Sequence, residues 1–301
     1  MAILTPGLTR KLRGLKISVH ALLSRALVAH RSRLDMSGLT SSSAAAAQRA
    51  ARLMLIASLA VGSSFGQAAS NQPAHRQPVL VELFTSEGCS DCPPADALLA
   101  RLDREQFVPD AEAIVLSEHV TYWNHEGWRD PFSMPEIDER QRSYVYRFGL
   151  QDSYTPQAVV DGSLQLVGNN ANALTQAVEQ AARQPKESLT IENAHWVNGG
   201  VDFSVHVQPE SGAKLEAALA QDATHREVTG GENAGRTLQH VAVVRAMKDF
   251  STKALDGRTL RLAATDLSQS NDARGPLRLV VFVADRKSGH ILAVAGQTLT
   301  P

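Results

Sequence analysis

The sequence predicts two domains behind a targeting segment. An α/β domain, a mixed sheet with flanking helices, spans residues 78–185, and an all-β sandwich-like domain spans 186–301. Three observations predict this. Strand and helix patterns alternate over residues 79–184, with a hairpin signal late in the run. After Pro185 about seven strand-like segments follow without a convincing helix. The 301 residues, 43% hydrophobic and 20% charged, suffice for two packed cores and exclude a collagen-like, wholly disordered or disulfide-dense chain.

Residues 1–68 read as a targeting segment. Arg49 and Arg52 precede the apolar run Leu53–Val61, and Gly66-Gln67-Ala68 fits the small-x-small cleavage rule, so Met36 begins a secretory signal peptide. The run is too short for a bilayer, which needs about 20 residues. An uncleaved anchor is the rival reading. Residues 1–35, with Arg10, Lys11, Arg13, Lys16, Arg25, Arg31 and Arg33, read as an extension from a start assigned too early, with a transit peptide as the rival. Residues 69–77 are a linker. The expected location is periplasmic or secreted, with no stable membrane span after cleavage. Residues 1–68 hold nine of the 30 Lys and Arg but only one, Asp35, of the 31 acids. The remainder is therefore acidic, which argues against nucleic acid and anionic membranes as partners.

Residues 79–84 (VLVELF) are a short apolar run and read as a buried strand. Ala95, Leu98, Leu99 and Leu102 recur at helical spacing, so 92–104 is a helix, with Pro93 and Pro94 in its first turn. Residues 113–116 are a second strand, 118–134 an aromatic and polar loop, and 135–147 a helix with Pro135 near its start. Strands 157–161 and 164–167 flank Asp161-Gly162, a hairpin turn signal. An amphipathic helix covers 170–184. Segments 188–193, 201–207, 213–219, 239–246, 258–264, 277–284 and 291–298 are strand-like.

The two cysteines, Cys89 and Cys92, form one C-x-x-C between a strand and a helix. A helix N-terminus offers unpaired N–H groups and a positive dipole end, and both stabilise a thiolate. Cys89 is therefore the candidate nucleophile and Cys92, one turn later, the resolving thiol. Two other readings stand beside this one: an inert structural disulfide, and a copper or zinc half-site completed by His119 or His125. Glu87 and Asp91 disfavour the thiolate, which predicts a moderate reductant or an isomerase rather than a strong oxidase.

The segments VELFTSEGCSDCPPADALLARL (81–102), HVTYWNHEGWRDPF (119–132), YTPQAVVDG (154–162) and GENAGRTLQHVAVVR (231–245) together resemble a thioredoxin-like family of secreted proteins catalogued as a domain of unknown function. The resemblance spans about residues 78–299. It implies a fold and a compartment but no established reaction. It also implies a cis-proline at Pro156 beside the dithiol, with the Thr155 and Tyr154 backbone presenting an extended substrate. This chain has Thr121 where the family has an acid, so no acid–base role is carried over to that position.

In such a sheet the end of the second strand lies on the same edge as the dithiol. His119, Trp123, His125, Trp128 and Asp130 would then line an active-site rim, with His119 and Trp123 contacting substrate, or would simply be packed structural groups. Gly230–Thr237 mimics a phosphate-binding loop, but Arg236 replaces its lysine and no helix follows, so it reads as a turn inside the sandwich. His195, His206, His225, His240 and His290 are scattered without zinc spacing. Trp196 reads as core.

The expected activity is thiol–disulfide exchange by Cys89 and Cys92 on exported protein thiols or disulfides, with a redox donor or acceptor protein as second partner. It needs no dissociable cofactor and no metal. Copper delivery and a non-catalytic binding module with a structural disulfide are the alternatives.

Overall fold

The structure, a computed structural model, describes residues 76–208, 212–251, 258–264, 267 and 276–299. The signal segment and most of the linker lie outside the described residues. The described residues belong to one compact unit, Ser70–Pro301.

Eight strands form one sheet. In chain order they are β1 (Gln77–Thr85), β2 (Ala111–His119), β3 (Gln157–Val160), β4 (Leu164–Val167), β7 (Ala213–Val228), β8 (Arg236–Phe250), β10 (Leu277–Asp285) and β11 (Ile291–Leu299). Their spatial order is β11-β10-β7-β8-β2-β1-β3-β4. β1 and β2 pair in parallel over their whole length, while β3 and β4 are an antiparallel hairpin against β1. A smaller sheet holds β5 (Thr190–Trp196), β6 (Gly200–His206) and β9 (Leu260–Ala263) in the order β5-β6-β9.

The large sheet runs across the boundary expected near residue 185. Its two halves join where β2 meets β8 in parallel at Ser117 and Val243. β10 explains why the halves share a sheet. Leu277, Leu279, Val281 and Val283 enter one core with β5, β6 and β9, while Val280, Phe282 and Ala284 enter the other core with β1 and β2. Both faces of the strand are covered, so residues 279–284 are a continuous apolar run rather than a strict alternation.

Three helices complete the described fold. α1 (Pro93–Glu105) starts on two prolines and ends at Gln106, whose left-handed backbone returns its N–H to the Leu102 carbonyl. α2 (Pro135–Phe148) ends at Gly149, also left-handed. α3 (Ala171–Ala182) is capped by Asn170, whose side chain accepts from the Ala173 amide. Alternation along β1 separates α1 from α2. Thr85 Oγ1 donates to Asp96 of α1, whereas Glu82 faces Arg140 of α2.

The β3–β4 turn follows the expected pattern, with positive φ at both Asp161 and Gly162. A side chain at Gly162 would put its Cβ 2.0 Å from the Gly289 carbonyl oxygen. Asp161 accepts from the Leu80 amide and pairs with buried Lys186 at 2.6 Å. The turn thereby ties the first half of the chain to the segment that opens the second.

Candidate functional site

β1 ends at Thr85, and a tight turn carries the chain to the cysteines. The Gly88 amide donates to Ser86 Oγ and the Cys89 amide to the Ser86 carbonyl. Cys89 and Cys92 are joined in a disulfide. Cys92 is the N-cap of α1, and its carbonyl accepts from the Ala95 and Asp96 amides. Both cysteines are buried, Cys89 at 1% and Cys92 at 0% exposure, while Ser90 and Asp91 between them are exposed.

Of the other expected site residues, several gather nearby. The Thr155–Pro156 peptide is cis, and Pro156 is buried. A Cβ on Gly168 would lie 3.2 Å from Pro156 Cβ and 3.4 Å from Ala95 Cβ, so the proline ring adjoins the first turn of α1. Trp123 Nε1 donates to Thr155 Oγ1 at 2.7 Å, and the Trp123 backbone and Cβ pack on Gly88. Trp123 and Thr155 are half-buried, and so form part of one wall beside the disulfide. Tyr154 points elsewhere, donating its hydroxyl to Gln165 while its carbonyl accepts from Gln141. His125 is exposed in the same loop as Trp123. Thr121 donates to Asp138 from both its amide and its hydroxyl.

His119 departs from the expected rim. It is the last residue of β2 and is 1% exposed, because β2 continues three residues beyond Leu116 and turns the ring inward. Its Nδ1 lies 2.7 Å from Asp130 Oδ2 and its Nε2 lies 3.3 Å from Ser117 Oγ. Asp130 is also buried, and accepts from the amides of Glu87 and Phe132. Burial pushes the Asp130 carboxyl up, but His119 and those two amides outweigh it and hold it down at about 2. Burial pushes the imidazole down, and Asp130, with Asp96 and Glu87 behind it, overrides that and raises it. The pair thus favours the imidazolium–carboxylate form.

A second histidine joins this one. The His240 ring stands edge-on to His119 with centroids 4.7 Å apart, and Phe132 packs against both. His240 Nε2 is 3.4 Å from Glu87 Oε1, and its Nδ1 is 3.6 Å from Asp96 Oδ2. Trp128 Nε1 donates to Glu87 Oε2. Burial raises the Asp96 carboxyl against the pull of the two imidazoles and the Thr85 hydroxyl. Asp96 lies one helical turn after Cys92, so this buried group of Glu87, Asp96, His119, Asp130 and His240 flanks the disulfide from within.

The loop at 230–237 also departs from its expected place. It is the tip of the β7–β8 hairpin, and it packs on the cysteine loop. Asn233 Nδ2 donates to both the Glu87 and Cys89 carbonyls at 2.9 Å, and Glu232 Oε2 accepts from the Ser90 amide at 3.1 Å. Glu232, Asn233 and His240 carry no motif that marks them. The resemblance of residues 231–245 to the same family as the C-x-x-C segment was the available signal. Asp96 had a plainer one, a carboxylate placed within the apolar stripe of α1. Among the described residues no group of three or more His, Cys, Asp or Glu side chains is arranged to hold a metal ion, and no helix is long and apolar enough to cross a membrane.

Fold and site together define a mixed α/β protein whose two cysteines form a disulfide at the N-terminus of a helix. The profile of a family described as "Protein of unknown function (DUF1223)" matches residues 80–284, and the chain belongs to that family. An X-ray crystal structure of a protein from Agrobacterium tumefaciens, determined as a structural-genomics target, is similar at a TM-score of 0.53 and 23% identity, over 73% of this chain and 93% of that one. No curated protein matches.

Proposed function

We propose that the chain is an exported, periplasmic or secreted, thiol–disulfide oxidoreductase acting on protein partners. The observation that carries this reading is the disulfide itself. The chain's two cysteines are joined between the end of a buried strand and the first turn of a helix, with Trp123, Thr155 and Pro156 beside them. The finer fold reading rests on the order β2-β1-β3-β4, a parallel pair plus an antiparallel hairpin, which supports a thioredoxin-like core. The second half would then be a sandwich-like module sharing that core's sheet and contributing the β7–β8 tip to the site.

In the exchange, a partner thiolate bonds to Cys89 Sγ, the Cys89–Cys92 bond breaks, and its electron pair leaves on Cys92, which takes up a proton. A second partner thiol, losing its proton, then displaces Cys89. The partner departs as a disulfide, and this chain is left as a dithiol. The reverse direction uses the same steps, with Cys92 resolving. The Thr155 backbone and the Trp123 indole offer the partner a hydrogen-bonding edge and an apolar wall. A redox donor or acceptor protein resets the pair.

Cys92→Ser tests the reading. The variant should accumulate mixed disulfides through Cys89 with exported proteins, and Cys89→Ser should accumulate none. A reversible couple between about −120 and −270 mV is expected in glutathione or dithiothreitol buffers. A potential well below about −300 mV, with no trapped partner, leaves the pair as a structural disulfide.

A further inference from the structure

β7 and β8 are the longest described strands, 16 and 15 residues. β10 pairs with β7 only from Ala213 to Gln221, yet the β7–β8 ladder continues to Val228 and Arg236. The outer part of the hairpin therefore reaches past the end of β10 as a two-stranded arm. Such an arm is marginally stable by itself and depends on what it touches.

Its tip touches the redox loop. Asn233 is fully buried and bonds two carbonyls at once, those of Glu87 and Cys89, while Arg236 Nη1 donates to Asn233 Oδ1 at 2.7 Å and fixes the orientation of the amide. Glu232 takes the Ser90 amide. Behind these contacts, glycines let backbone meet backbone. A Cβ on Gly230 would lie 2.4 Å from the Gly127 carbonyl oxygen, and one on Gly231 would lie 3.0 Å from both the Glu126 carbonyl oxygen and Trp128 Cβ. The backbone groups of Cys89 and Ser90 are thus already engaged by the chain's own residues.

Disulfide exchange requires an incoming nucleophile to approach a sulfur in line with the S–S bond, and Cys89 and Cys92 are 1% and 0% exposed. We propose that the β7–β8 tip is a displaceable cap over the disulfide, latched by Asn233 and Glu232, so that exchange proceeds only when a partner or a thermal fluctuation lifts it. The cap restricts exchange to partners able to replace those contacts, with a donor for the Cys89 carbonyl and an acceptor for the Ser90 amide. Its partner selectivity rests on the exchange reading above; the cap itself does not.

The test follows reduction of the oxidised full mature chain by tris(2-carboxyethyl)phosphine, which attacks disulfides without needing a protein partner. A capped disulfide gives a rate that climbs with phosphine and then levels off at the opening rate of the cap. Asn233→Ala, which deletes two hydrogen bonds, should raise that rate about tenfold, and Glu232→Ala should raise it about threefold. Circular dichroism checks that each variant is folded. A wild-type rate linear in phosphine throughout, or variants that fold and reduce at the wild-type rate, would overturn the cap. If Asn233→Ala does not fold, the wild-type plateau and Glu232→Ala still decide. Failure to trap mixed disulfides would sink the exchange reading while leaving the plateau intact, so the two failures are distinct.

Discussion

On one face of the sheet His119 meets Asp130; on the other its neighbour in β2, Glu118, turns toward Arg140. Two buried charge clusters thus share the same strands. Beside the disulfide, the side chains that pull the Asp96 and Asp130 carboxyls down are imidazoles. Under α2, three carboxyl side chains surround a guanidinium. Arg140 bonds Glu82 at 2.5 Å and Glu216 at 2.6 Å and stands 3.6 Å from Glu118, while Tyr144 donates to Glu82 at 2.6 Å. Lys214 pairs with Glu216 at 2.9 Å, and the guanidinium also lies 5.2 Å from the Phe282 ring centroid. Arginine keeps its charge at every physiological pH, and histidine does not. The α2 cluster is suited to fixing structure, and it draws Glu82 of β1, Glu216 of β7 and α2 together. The cluster at the disulfide is built on imidazoles, whose charge depends on pH.

Removing the permanent cation should produce the largest effect. Arg140→Met leaves Glu82 buried without a counter-ion and Glu216 with Lys214 alone, at a cost of about 3–5 kcal/mol in urea unfolding at neutral pH. The abandoned carboxyls would have raised pKa values when folded, so their penalty falls as pH drops. Part of the stability should return at pH 5. A variant equally weak at both pH values would show that packing on Phe282, not charge, is the role of Arg140.

Asp130→Asn is the matching test on the other face. The folded Asp130 carboxyl sits at about 2, against 3.8 in the unfolded chain, which corresponds to about 2 kcal/mol. That stability is present above pH 4 and is lost as pH falls toward 2. His119 is raised, so its share is present below its ordinary value near 6.5 and is lost as pH climbs through the raised one. Wild-type stability should therefore fall off on both sides, and the asparagine variant should lack both slopes. If unfolding curves of the two chains run parallel from pH 2 to 9, the pair is not ionic.

A smaller contrast comes from deleting one donor on each face. Trp128→Phe leaves Glu87 Oε2 without its indole donor and should cost about 1–3 kcal/mol. Tyr144→Phe removes the hydroxyl from Glu82, but Arg140 still holds that carboxylate, so the cost should stay below about 1 kcal/mol. Thermal unfolding of the two variants side by side would reverse the comparison if Tyr144→Phe proved the weaker protein.

The clusters also show what the sequence does and does not disclose. Strand and helix positions were legible because periodicity and prolines are local: 92–104 against Pro93–Glu105, and 277–284 against Leu277–Asp285. The sharing of one sheet was written in the apolar run 279–284 of β10, but a run of that kind says only that both faces are covered, not by what. The C-x-x-C was legible as a motif. Its surroundings were not, since Asn233 meets Cys89 across 144 residues. A histidine such as His240, alone among β-strand residues, looks like any other until the fold sets it 4.7 Å from His119.

Glu118 supplies the smallest effect and the sharpest contrast with its neighbour. Burial, reinforced by Glu82 and only partly opposed by Arg140, pushes its carboxyl well above the ordinary range. Within one strand, then, the surroundings favour the charged form of His119 and the neutral form of Glu118 next to it. A neutral carboxyl is closely imitated by an amide, so Glu118→Gln should match the wild type to within about 0.5 kcal/mol near pH 4, where the unfolded carboxyl is largely protonated as well. The raised carboxyl makes the wild type lose stability as pH rises from the ordinary value of 4.5 through the raised folded one, and the amide cannot ionise. Unfolding measured from pH 4 upward should therefore show the glutamine variant gaining on the wild type as pH rises. A large loss already at pH 7 would mean that Glu118 is ionised and that Arg140 is shared among three charged carboxylates.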